Sequence, residues 1–251
     1  MKFGRLQLCS LFAALLCTAA AAAAELTVSA AASLGAPLRE IAQLFQRRHP
    51  EVQVLLNVGA SGALLQQIAN GAPVDVLATA DQETMQQAVQ AGLVDAAARV
   101  DFIANRLVLV VPAAAPRRPD ELADLGAPAY ARIAIGQPAS VPAGRYAQAA
   151  LQRAGLWAAL AAKMIHAQNV RQALDYVARG EVDAGFVYAS DALGAAGKVK
   201  LAFEVATAAP IVYPAAVLRG AGKAGPARRF VDFLRSAPAR EVLLRHGFSA
   251  L

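Results

Sequence analysis

From Glu25 onward the apolar positions switch repeatedly between a period of two and a period near three and a half. Leu26, Val28 and Ala30 alternate along a β-branched run that predicts a strand, and Leu34, Leu38, Ile41 and Phe45 then fall at helical spacing, opposite Arg39, Glu40, Gln43, Gln46 and Arg47. His49-Pro50 ends that helix, while Pro37 sits in its first turn, where a missing N–H costs little. The run from Val52 to Asn57 predicts a second strand, and Val58 to Gly62 a turn into a helix carrying Leu64, Leu65 and Ile68, stopped at Asn70-Gly71. Val74 to Ala78 is short and apolar, and Asp81 caps a helix through Met85 and Val89 to Gly92. Three successive strand-then-helix units predict a parallel sheet with helices on its faces.

A second series opens at Arg106 to Val111. A Pro- and Ala-rich loop (112–119), a short helix (121–125), a strand at Arg132 to Ile135 and a loop to Gly144 lead into a helix from Arg145 to Ala154. Further helices are expected at Trp157 to Lys163 and from Asn169, with Leu174, Val177 and Ala178 inward; Ala184 to Tyr188 reads as a strand and Ser190-Asp191 as the cap of the next segment. Strands at 199–203 and 211–217 and two helices opened by Pro226 and Pro238 complete the chain. The order predicts an α/β fold of two lobes, 25–104 with 214–251 and 105–213, each a mainly parallel sheet flanked by helices, with ligand in the cleft between them.

The first residues follow another rule. Lys2 and Arg5 precede an apolar core from Leu6 to Leu16, and Ala22-Ala23-Ala24 supplies a small-residue cleavage site, so residues 1–24 are expected to be a secretory signal peptide. A lipoprotein signal on Cys17 fits less well, because Leu16 occupies the place of the small residue before the cysteine. Cleavage after Ala24 removes Cys9 and Cys17, leaving no thiol and no disulfide, and lowers the formal charge from +6 by the two units of Lys2 and Arg5. The remaining basic pairs, Arg47-Arg48, Arg117-Arg118 and Arg228-Arg229, lack interleaved aromatics and give no nucleic-acid groove. No later apolar run has membrane length, so the expected class is a soluble exported protein.

Candidate chemistry gathers where helices begin. Ser33, Ser61, Pro142-Ala143-Gly144 and Asn169-Val170 stand at strand-to-helix or loop-to-helix junctions, and Tyr188 ends a strand with a hydroxyl to donate. Free N–H groups and the positive end of the helix dipole make such junctions anion sites. Each residue also has an ordinary use: the serines as caps, Gly144 as flexible backbone, Val170 as core, Tyr188 as a half-buried strand aromatic. Gly59-Ala60-Ser61-Gly62-Ala63 approaches a nucleophile elbow, but Ala63 replaces its second glycine; a serine hydrolase on Ser61 would need Asp183 and His246 as partners. The three histidines, His49, His166 and His246, lie far apart and present no metal-ligand spacing.

Taken together, Ala30 to Leu34, Ala60 to Leu64, Gly71 to Asp75, Ala80-Asp81, Val141 to Gly144, Val170-Arg171, Val187 to Asp191 and Gly247-Phe248 resemble the periplasmic molybdate-binding proteins of ABC transporters. The resemblance spans nearly the whole chain after residue 24. It implies a two-lobed periplasmic binding protein, monomeric and not membrane-embedded, that holds molybdate or tungstate without a cofactor and delivers it to a membrane permease. Oxyanion contacts carry over to the hydroxyls and N–H groups of Ser33 and Ser61, the N–H groups of Ala143 and Val170, and the hydroxyl of Tyr188. Ala60 and Gly62 replace extra serines found beside Ser61 in some relatives. A fully deprotonated dianion only accepts, so neutral donors suit it, whereas a protonated phosphate would leave its O–H unpaired at a cost of roughly 1–3 kcal/mol. Sulfate also only accepts, and a sulfate- or other oxyanion-binding protein is the alternative.

Overall fold

The computed structural model describes residues 23–251; the expected signal peptide lies almost wholly outside them. The chain runs β1 (Ala24–Ala31), α1 (Gly35–Arg48), β2 (Val52–Gly59), α2 (Ser61–Ala69), β3 (Val76–Ala78), α3 (Gln82–Gln90) and β4 (Val100–Asn105). It continues with β5 (Leu107–Pro112), β6 (Ile133–Gly136), α4 (Pro142–Arg153), α5 (Trp157–Leu160), β7 (Met164–Ala167), α6 (Val170–Ala178), β8 (Ala184–Tyr188), α7 (Ala189–Gly194), β9 (Val199–Glu204), β10 (Ile211–Val217), α8 (Ala224–Leu234) and α9 (Ala237–Arg245).

Two five-stranded sheets result, ordered β2-β1-β3-β10-β4 and β7-β6-β8-β5-β9. In the first, β1 runs parallel to β2 and β3, and β10 runs antiparallel to both β3 and β4. In the second, β6 runs parallel to β7 and β8, and β5 runs antiparallel to both β8 and β9. Each sheet therefore has a single reversed strand, and that strand is the one entered directly from the other sheet. Arg106 alone separates β4 from β5, so the chain passes from one sheet to the other across a single residue. The return passes through 205–210, where Ile211 opens β10 in register with Asn105 of β4. These two paired strands join the lobes.

The helical spacing of α1 is used as the pattern indicates: Leu34, Leu38, Ile41 and Phe45 are fully buried. Phe45 packs edge-on against Phe230 of α8 with ring centroids 5.2 Å apart, so the C-terminal helices cover the first sheet. Two strands absent from the sequence pattern, β4 and β7, are only partly apolar; β7 exposes Ile165 and His166 at the sheet edge.

Two starting points also differ from the pattern. Helix α4 begins at Pro142 rather than Arg145, with proline in its favoured first-turn place. Gly144 is then helical and needed for closeness rather than flexibility, since a Cβ there would lie 1.9 Å from the carbonyl oxygen of Gly136. That approach seats the α4 N-terminus on the end of β6. Likewise Ser190 and Asp191 do not precede α7 but lie within it; Tyr188 is the N-cap, and its N–H is accepted by the Asp191 carboxyl at 3.3 Å.

Candidate anion-binding site

Strands β1, β2 and β3 of the first sheet and β6, β7 and β8 of the second turn their carboxyl ends toward one another. There, Ser33, Ser61, Ala143, Val170 and Tyr188 all line one tight pocket with a cavity volume of about 10 Å³. Its remaining walls are Ala31, Ala32, Gly59, Ala60, Ala80, Val141, Pro142 and Asn169. No side chain among these carries a charge. Arg39, Arg171 and His246 stand outside, on a wider cleft that shares Ser33 and Asn169 with the pocket.

Neither serine caps a helix. Ser33 sits in a 3-10 turn, Ala32–Leu34, ahead of α1, and Ser61 is the first residue of α2 after Ala60; no side-chain cap bond forms at either start. Instead Ser61 Oγ accepts the N–H of Ala80 at 3.1 Å, which ties α2 to the chain after β3 and leaves the hydroxyl proton free. Ser33 Oγ lies 2.9 Å from the Tyr213 hydroxyl. Tyr188 is buried, and its hydroxyl has no hydrogen-bond partner among the described residues. Desolvation raises the Tyr188 pKa well above that of an ordinary phenol, so it stays protonated and can donate.

Backbone donors complete the wall. Val170 opens α6, and Asn169 accepts the N–H of Gln172 at 3.0 Å; this satisfies the third position of the helix and leaves the first without an intrahelical acceptor. In α4, Pro142 has no N–H, so Ala143 provides the first one. Three helix starts, those of α2, α4 and α6, thus face the pocket with partial positive charge.

The lobes touch beside the pocket. Gly62 N–H donates to Ser140 O at 3.0 Å, and a Cβ on Gly62 would lie 2.8 Å from that oxygen. Arg145 of α4 reaches across to Asp81, the α3 N-cap: Nε and Nη2 lie 3.1 and 2.5 Å from Asp81 Oδ2. The same Nη2 donates to Thr84 Oγ1 at 2.7 Å, and the Asp81 side chain is only 4 % exposed. Sequence reasoning identified Asp81 only as a cap and missed Arg145; their separation of 64 residues has no local signal.

Hydrolysis on Ser61 has no supporting geometry. Asp183 accepts the Arg132 N–H at 2.8 Å, and His246 lies 3.4 Å from Glu40 on the wider cleft, so neither lines the Ser61 pocket. No cluster of three or more metal-ligating side chains exists among the described residues, and no helix there is long and apolar enough to cross a membrane.

Comparison with known proteins agrees with this architecture. A model of bacterial extracellular solute-binding proteins matches residues 26–249. Molybdate-binding protein ModA of Escherichia coli K12 is 37% identical over 235 residues, covering 90% of this chain and 89% of that one. YvgL of Bacillus subtilis 168, an ABC transporter substrate-binding lipoprotein by its name, is 35% identical over 227 residues, covering 90% and 86%. Among solved structures, the periplasmic molybdate-binding protein of Azotobacter vinelandii superposes with a TM-score of 0.80 at 24% identity, covering 90% of this chain and 99% of that one. The chain belongs to the bacterial extracellular solute-binding protein family, which makes it a transport binding protein and not an enzyme.

Behind Tyr188, burial raises the Asp191 carboxyl from 3.8 to about 7, partly offset by the Tyr188 N–H and by Arg171. The folded state therefore holds this proton over a range in which the unfolded chain has released it, and stability from this group falls as pH rises from about 4 to 7. In thermal melts across that range, Asp191→Asn should match the wild type near pH 4 and become progressively more stable than it toward pH 8. Parallel profiles would contradict the assignment.

Proposed function

We propose that this chain is the soluble, periplasmic molybdate-binding component of an ABC importer, released from its signal peptide after Ala24. Lobes 25–104 with 214–251 and 105–213 hold the tetrahedral oxyanion between them, hinged on the paired strands β4 and β10. The observation that carries this reading is the convergence of five donor residues, three bearing hydroxyls and two offering a backbone N–H alone, on one pocket without a charged side chain.

In this reading the hydroxyls of Ser33, Ser61 and Tyr188 and the N–H groups of Ser33, Ser61, Ala143 and Val170 donate to the anion. The dianion's charge is met by oriented dipoles at three helix starts, so no buried cation has to be desolvated. The name of the 37%-identical relative supports molybdate as the ligand. Tungstate has the same shape and charge and binds in the same way. The protein acts as a monomer that hands its ligand to a membrane permease, which supplies the ATP-driven step with its own partners.

Arg145 and Asp81 favour the closed arrangement, since their bond exists only when the lobes meet. Removing Arg145 leaves Asp81 buried without its cation, a loss of several kcal/mol in a fully buried pair and less here, with Arg145 18 % exposed.

Calorimetric titration of the mature protein with molybdate, tungstate, sulfate and phosphate tests the assignment. Molybdate and tungstate should bind tightly and phosphate weakly; binding of sulfate in preference to molybdate would make this a sulfate-binding protein instead. Tyr188→Phe should weaken molybdate binding roughly tenfold or more, as expected for a bond to a charged acceptor. Unchanged affinity removes Tyr188 from the site. Arg145→Ala should lower affinity about tenfold, mainly through faster release measured by stopped flow; an unaltered release rate would show that the bridge does not hold the lobes together.

A further inference from the structure

The 2.9 Å bond between Ser33 and Tyr213 could, taken alone, run in either direction. Its neighbours fix that direction. Asn105 Oδ1 accepts the backbone N–H of Arg106 at 2.9 Å, and because that N–H can only donate, the amide cannot be turned round. The Asn105 NH₂ group therefore faces the other way, donating to Ser190 Oγ at 2.8 Å and to the Tyr213 hydroxyl oxygen at 3.3 Å. Tyr213 is fully buried and keeps its phenolic proton, since burial raises its pKa well above the ordinary value. With its oxygen accepting from Asn105, that proton has one remaining partner among the described residues, Ser33 Oγ. Ser33 must accept, so its own proton is left for the pocket it lines.

We propose that Asn105 and Tyr213 are positioning residues that orient a chain of hydrogen bonds from Asn105 through Tyr213 to Ser33, so that Ser33 offers the bound oxyanion a donor and not an acceptor. The inference rests on the oxyanion reading given above. It accounts for a polar network of four buried residues, Ser33, Asn105, Ser190 and Tyr213, in which Asn105 ends the hinge strand β4 and Ser190 follows the pocket residue Tyr188 by two positions. An unconstrained serine hydroxyl can rotate and accept a proton as readily as it donates one. A serine whose oxygen already accepts from Tyr213 keeps its proton for the pocket and has one lone pair fewer to offer, which favours a ligand that accepts. Ser61 is biased in the same way by the Ala80 N–H, an obligate donor. The pocket thus distinguishes a fully deprotonated tetrahedral anion from one that still carries a proton.

The test is a double-mutant cycle with a change of ligand. Tyr213→Phe, Ser33→Ala and the double variant are titrated calorimetrically with molybdate and with phosphate at neutral pH, after thermal melts confirm that each is folded. Tyr213→Phe should weaken molybdate binding about fivefold or more, the worth of one oriented hydrogen bond. The double variant should bind no more weakly than Ser33→Ala alone, and the preference for molybdate over phosphate should fall in Tyr213→Phe. Asn105→Asp is the second probe, because its carboxylate only accepts; it draws the Tyr213 proton away from Ser33 and should produce the same fall in preference with the Tyr213 ring still in place. Additive losses in the cycle, or an unchanged preference in both Tyr213→Phe and Asn105→Asp, overturn the relay while leaving the oxyanion reading intact. A wild-type protein that binds no molybdate overturns both.

Discussion

Tyr188 carries its hydroxyl to a place where no group among the described residues accepts from it, and a buried polar atom in that state costs about 1–3 kcal/mol. Proteins keep few such groups, and this one is held at the end of β8 beside two serine hydroxyls and the first N–H groups of three helices. Every one of these is a donor. Such a set of donors suits a ligand that is all acceptor, and a fully deprotonated oxyanion answers to that description with no cation in the wall. The arrangement avoids the desolvation penalty of a buried lysine or arginine and keeps the anion's partners fixed before it arrives.

The fold exists to bring those donors together from both sides. Each sheet ends its parallel strands at the cleft, so helix starts accumulate there as a consequence of strand-to-helix connectivity. The single reversed strand in each sheet, β5 or β10, is the route between lobes. Close approach at the cleft depends on small residues: Gly62 against Ser140 across the lobes, and Gly144 against Gly136 within one of them. The Arg145–Asp81 bridge sits next to this approach but outside the pocket, so this cation pairs with a carboxylate across the lobes.

Much of this was legible in the sequence where the signal is local. The apolar face of α1, the Asp81 and Asn169 caps and the strand-helix alternation all arise from patterns within a few residues, and the five candidate contacts were visible as helix starts and a strand-end tyrosine. The features hidden from the pattern are equally physical. The serines looked like caps, yet Ser61 bonds Ala80 and Ser33 bonds Tyr213, 180 positions away. Tyr213 reads as a core aromatic on a strand, and only its neighbours in space, Asn105 and Ser33, give its hydroxyl a direction. Gly144 looked like flexible backbone and is a helical residue whose missing Cβ lets two backbones meet. Strands β4 and β7 lacked the apolar alternation that marks a strand, and exist because β10 and β6 offer them a partner.

Whether neutral donors alone hold the ligand is decided by a crystal structure of the mature protein grown with molybdate. The anomalous signal of molybdenum should fall in the pocket between the lobes, with oxygens about 2.7–3.1 Å from the hydroxyls of Ser33, Ser61 and Tyr188 and the N–H groups of Ala143 and Val170, and with no arginine or lysine in contact. Molybdenum bound to Arg39 or Arg171 on the wider cleft, or coordinated by any charged side chain, would contradict the account.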